Sequence, residues 1–89
     1  MRLKSVAYKE KYTSIVQFED KVKSEIDLTA LVSKGIFKAI KDIALFEKVY
    51  HTSYSIAWND DLEIDALNIY LALTGNNLEE IREVVVNKL

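Results

Sequence analysis

Along the first third of the chain, apolar and polar residues alternate with the two-residue period of a half-buried strand. Tyr12, Ser14, Val16 and Phe18 share one face, with Thr13, Ile15 and Gln17 on the other. Val22, Ile26 and Leu28 then alternate with Lys23, Glu25 and Asp27, and a weaker alternation covers residues 3–8. The polar connections Lys9-Glu10-Lys11 and Glu19-Asp20-Lys21 are of hairpin length. Three strands joined in this way make an antiparallel meander, one face of which needs a cover.

The middle of the chain supplies that cover. Residues 29–34 read as about one helical turn, stopped by Gly35. Ile36, Phe37 and Ile40 follow at near-helical spacing, and Asp42 is placed to cap a second short helix carrying Ile43, Leu45, Phe46 and Val49. A second hairpin is expected over residues 48–58, turning near Ser53 and ending at Trp58.

Residues 58–70 read as a strand end, an acidic turn (Asp60, Asp61, Glu63, Asp65) and a helix start capped by Asp65. Leu67, Tyr70, Leu71 and Leu73 form its stripe, and Gly75 its stop. Beyond Gly75, Asn76 and Asn77 are further capping residues, and Glu80 completes a capping box with Asn77. Leu78, Ile81, Val85 and Leu89 then mark one face of an amphipathic helix over residues 77–89. The β-branched run Val84-Val85-Val86 lowers helix propensity, so an end strand is the competing reading.

These elements predict an α+β fold: a three-stranded antiparallel meander and a second short hairpin, covered by short helices. Residues 1–75 form the domain, and a C-terminal amphipathic helix over residues 76–89 packs on it or on a second copy. The expected core is Leu3, Val16, Phe18, Val22, Ile26, Leu28, Leu31, Phe37, Ile40, Leu45, Phe46, Val49, Ile56, Trp58, Leu67 and Tyr70.

Composition narrows the function more than it names one. Eighty-nine residues suit one small core. With no cysteine, disulfides and thiolate metal sites are excluded. No run reaches the roughly 20 apolar residues of a membrane span, and the start of the chain lacks a signal-peptide apolar segment. A cytoplasmic protein is expected. His51 is the single histidine, with no serine or cysteine signature around it, and Gly35 and Gly75 are too isolated to cradle phosphate. The acids of residues 59–65 fail the calcium-loop pattern, since Ile64 and Tyr70 stand where glycine and glutamate are needed. No enzyme activity, cofactor or metal is expected.

Net charge is −2, which argues against nucleic acid as the default partner. It is unevenly divided: residues 1–50 hold ten Lys or Arg against seven acids, residues 51–89 two against seven. The lysine-rich first hairpin (Lys4, Lys9, Lys11, Lys21, Lys23) is the alternative, a surface for a nucleic-acid-binding regulator. Tyr8, Tyr12, Phe18, Tyr54 and Trp58 would then be its stacking platform. Core packing explains the same aromatics more simply.

Several motifs occur together in order: Val16-Gln17-Phe18 with an acidic turn, Ile26-Asp27-Leu28, Gly35-Ile36-Phe37, Ile40, Asp42, Phe46, Val49, Trp58, Glu63-Ile64 and Ile69-Tyr70. In these, over roughly residues 3–70, the chain resembles the small prokaryotic family called domain of unknown function 2442. It departs from that family's pattern at Lys21, where glycine is usual, and at Glu63, Ala66 and Ile69, where aspartate, proline and leucine are favoured. The missing proline leaves Asp65 to start the last helix alone. The resemblance implies a compact α+β domain without established activity, and a regulatory role such as the antitoxin-like member of a bacterial gene pair. Taken together, a non-catalytic interaction module is expected, with Leu78, Ile81, Val85 and Leu89 as its contact face, a homodimer or a protein partner as the result, and Trp58, Asp65 and Tyr70 in structural roles.

Overall fold

The computed structural model describes residues 2–73 and, as backbone, residues 85–88. Three strands form the meander: β1 (Leu3–Glu10), β2 (Thr13–Phe18) and β3 (Lys23–Asp27). Two 3-10 turns, Leu31–Ser33 and Gly35–Ile40, lead to a one-turn helix α1 (Ile43–Phe46). The second sheet follows as β4 (Tyr50–His51), β5 (Ser55–Asn59) and β6 (Leu62–Asp65). Helix α2 (Ala66–Leu73) and a final strand β7 (Val85–Lys88) complete the described chain. The sheets are ordered β1-β2-β3-β7 and β4-β5-β6, every pairing antiparallel. This is the expected α+β architecture, with one more strand in each sheet than the alternation predicted.

The meander follows its pattern closely. Ser14, Val16 and Phe18 are buried, while Thr13, Ile15 and Gln17 are half-buried on the outer face. Ser24, Ile26 and Leu28 repeat this in and beyond β3. Both hairpins turn on a lysine in the left-handed region, Lys11 at φ +48 and Lys21 at φ +72. Lys11 lets β1 run through Glu10 and turn within two residues, so Lys9 and Glu10 belong to the strand and not to the link. A side chain in that region costs about 1 kcal/mol that glycine avoids. Lys21→Gly is therefore expected to stabilise the fold by about 1 kcal/mol, raising the thermal midpoint by a few degrees.

Residues 60–65 differ from the acidic turn expected there. Only Asp60 and Asp61 turn; Asn59 Oδ1 accepts the Asp61 amide at 2.8 Å and fixes the bend. Leu62 and Ile64 then point into the core and Glu63 and Asp65 outward, so the period of two prevails and a strand forms. Inward alternation continues through Ala66 into α2, which turns Leu67 outward (53% exposed) and makes Ala66 and Ile69 the buried positions. Asp65 therefore ends β6. Its side chain makes no hydrogen bond among the described residues, and the Ala66 amide donates instead to the Tyr54 carbonyl at 2.7 Å. Asp42 does cap α1, accepting the Ala44 amide at 3.0 Å.

One apolar cluster joins both sheets: Leu3, Val16, Phe18 and Ile26 meet Ile56, Leu62, Ile64 and Ile69, with Leu28, Val32, Ile40 and Phe46 between. Val22, Leu31, Phe37, Val49, Trp58 and Tyr70 pack on its rim. Of the expected core, Leu45 and Leu67 are instead exposed. The tail also differs. Val85–Lys88 is a strand on β3, with Val85 opposite Asp27 and Val86 opposite Ile26, so no helix runs to residue 89. The β-branched valines favour that outcome. β7 is thereby the fourth strand of the first sheet. The rest of the helix expected over residues 77–89, namely 77–84 and 89, lies outside the described residues.

Candidate interaction surface

The two surfaces expected from sequence are described only in part. Of Leu78, Ile81, Val85 and Leu89, Val85 lies in β7 and the others fall outside the described residues. The hairpin lysines are divided between its ends: Lys11 sits at the β1–β2 turn, and Lys4, Lys21 and Lys23 at the opposite end. Lys9 donates to Glu25 Oε2 at 2.6 Å across β2. That hydrogen bond, and then the Glu25 charge, hold its ammonium above the ordinary lysine value. Glu25 and Asp27 share the outer face with Lys23, and Glu19 lies 3.9 Å from Arg2. Acids are thus interleaved with the bases.

Trp58 and Tyr70 hold the fold together. Trp58 is the extra residue of a bulge between Ala57 and Asn59, which re-aims its indole. Its Nε1–H donates to the Phe46 carbonyl at 3.0 Å, and its ring packs against Phe37 and Phe46. Tyr70 sets its ring edge-on to Phe18 at 5.1 Å and donates its hydroxyl to Asp20 Oδ2 at 3.0 Å. Asp20 Oδ1 accepts the Val22 amide, so α2 is tied to the β2–β3 turn. The hydrogen bond to Asp20, and then its charge, raise the Tyr70 phenol above its ordinary value. The fold therefore favours the protonated phenol. Its contribution is complete below the usual phenol range of about 10 and disappears as pH rises past the raised value. Thermal midpoints of the protein and of Tyr70→Phe should differ by a constant amount below that range and converge above it.

His51 makes a local contact among the described residues. Its Nδ1–H donates to the Thr52 carbonyl at 2.9 Å, and the neighbouring hydroxyls of Thr52 and Ser55 bond each other at 2.8 Å. Among the described residues no three His, Asp or Glu side chains converge as metal ligands.

Sequence reasoning missed a concave face beside α1. A pocket of about 100 Å³ opens there, its apolar lining made by Ala39, Ile40, Leu45, Trp58 and Leu62. Lys48 and Asn59 supply its polar side chains. Ile36, 65% exposed, stands three residues before Ala39 in a 3-10 turn, where such positions lie in line. Leu45 is 45% exposed because α1 is a single turn that buries Phe46. The signal available was the apolar excess of residues 36–46, more than one turn of helix can bury. No protein-family model, characterised protein or solved structure matches the chain.

Proposed function

We propose that this chain is a non-catalytic protein-interaction or regulatory module that binds its partner through the Ile36–Leu45–Trp58 face. The observation that carries this reading is the large apolar side chains left in water around a concave patch, an arrangement typical of contact sites. The resemblance to domain of unknown function 2442 supports the same reading and extends it to a regulator acting on a partner protein, such as the antitoxin-like member of a gene pair. Self-association over the same face is the homodimer form of the proposal.

The test is a pull-down from the native host with the protein and with an Ile36→Ser, Leu45→Ser double variant of unchanged thermal midpoint. One small protein should be captured by the former, survive a high-salt wash, and be lost with the latter. Light scattering on both forms reads self-association. The alternative, a nucleic-acid-binding regulator using Lys4, Lys9, Lys11, Lys21 and Lys23, predicts nucleic acid that is released by salt, because phosphate contacts weaken steeply as salt rises.

A further inference from the structure

We infer that the pocket beside α1 is a binding site for a short, branched apolar monocarboxylate. The donor and acceptor inventory of its side chains leads to this class. Ile40, Leu45, Trp58 and Leu62 offer only apolar surface, because the one polar group of Trp58, its Nε1–H, is already donated to the Phe46 carbonyl at 3.0 Å. Asn59 uses its carbonyl oxygen to accept the Asp61 amide at 2.8 Å. Only a carbonyl oxygen can take that hydrogen, so the part of the Asn59 amide left over is its NH₂. Lys48, the charged residue of the lining, makes no ion pair or side-chain hydrogen bond among the described residues, and an ammonium is donor only. Lys48 and Asn59, both exposed, are the polar side chains bordering the pocket, and the groups they have to spare are donors, one of them charged.

A ligand that fits must carry acceptors and negative charge at one end and hydrocarbon at the other. A carboxylate is such a group, and its hydrogen bonds from Lys48 and Asn59 are of the stronger, charge-assisted kind. Size limits the remainder. About 100 Å³ is smaller than the roughly 150 Å³ cavity that accommodates benzene, which leaves room for an isobutyl-sized body. The wall is built in advance, since Phe37 and Phe46 hold the Trp58 ring edge-on and tilted at 6.3 and 5.6 Å. Asp60, exposed next to Asn59, opposes an anion from outside the pocket.

Trp58, the single tryptophan, is a reporter inside the site. Its emission, and in parallel the Trp58 indole and Asn59 side-chain NH₂ resonances, would be followed while the full chain is titrated with isovalerate. The expected result is a saturable change in the millimolar range, as befits so few ligand atoms. Acetate, which lacks the body, and isovaleramide, which lacks the charge, should produce none. Lys48→Met should weaken binding about tenfold, and Asp60→Asn should tighten it. An equal response to isovaleramide, an unchanged affinity in a folded Lys48→Met, or no saturation by about 50 mM in either signal would overturn the inference. Any of those outcomes leaves the protein-docking proposal standing, since that is read by capture of a macromolecule and by Ile36.

Discussion

Phe46→Ala is expected to remove about 3–5 kcal/mol of stability, a large share of what an 89-residue domain has. Phe46 is fully buried and is the point at which the two sheets meet through one side chain. Its ring lies edge-on to Tyr8 of β1 at 6.0 Å, to Tyr12 of the β1–β2 turn at 5.4 Å, and against Trp58 of β5 at 5.6 Å. Its carbonyl accepts the Trp58 indole N–H. Tyr12 is held in turn by its hydroxyl, which donates to the Lys41 carbonyl. Truncation leaves a void among three aromatic rings that one turn of helix is too short to close. The thermal midpoint should fall by about 15 °C or more, with a red shift of Trp58 emission before global unfolding. Leu45→Ala, one residue away and exposed, should cost less than about 1 kcal/mol. Similar losses at the two positions would show that Phe46 is not the joint between the sheets.

The contrast between Phe46 and Leu45 shows what the chain's pattern could reveal and where it stopped. Alternation in β2 and β3 specified which faces are buried, because a two-residue period has only two answers and each strand is long enough to repeat it. The first link is one residue shorter than the polar run suggests, since Lys9 and Glu10 are polar yet stay in β1. Asp42 was legible as a cap because its chemistry is local. The segment from residue 36 to residue 46 was legible only as apolar. Which of its large side chains face inward depends on 3-10 turns and a one-turn helix, too short for any period to settle. The same limit applies to Leu62 and Ile64: four acids nearby suggested a solvated turn, although the apolar alternation between them was the stronger constraint. Leu67 was misplaced as a consequence, since the phase of α2 is inherited from β6. The candidate pocket was illegible for a different reason. Ile40, Leu45, Trp58 and Leu62 are brought together by two hairpins and a bulge, and nothing in their spacing announces a common site.

Asn87→Pro and Lys88→Pro should differ sharply, and that difference distinguishes the strand at residues 85–88 from the helix that the apolar spacing of Leu78, Ile81, Val85 and Leu89 predicts. In an antiparallel ladder, hydrogen-bonded and non-hydrogen-bonded pairs alternate. The Phe18 amide donates to the Val22 carbonyl at 2.9 Å, and the Leu28 amide to the Tyr12 carbonyl at 2.8 Å. These two bonds bracket the β2–β3 ladder and fix its phase, so Ser24 and Ile26 direct their backbone groups to β2, and Glu25 and Asp27 direct theirs to β7. With Glu25 opposite Asn87 and Asp27 opposite Val85, the amide of Asn87 faces β3 and that of Lys88 faces away. Proline at 87 deletes a ladder bond and leaves the Glu25 carbonyl without its donor, a loss of about 1–3 kcal/mol. Proline at 88 deletes an outward amide and holds residue 87 in the extended region, which the strand already requires. In a helix both substitutions would remove an internal hydrogen bond, and their effects would be alike. The measurement is the thermal midpoint of each variant, together with hydrogen exchange at Glu25 and Asp27. Rapid exchange at those two amides in Asn87→Pro alone is the expected result, and equal destabilisation by both prolines would remove β7 from the sheet.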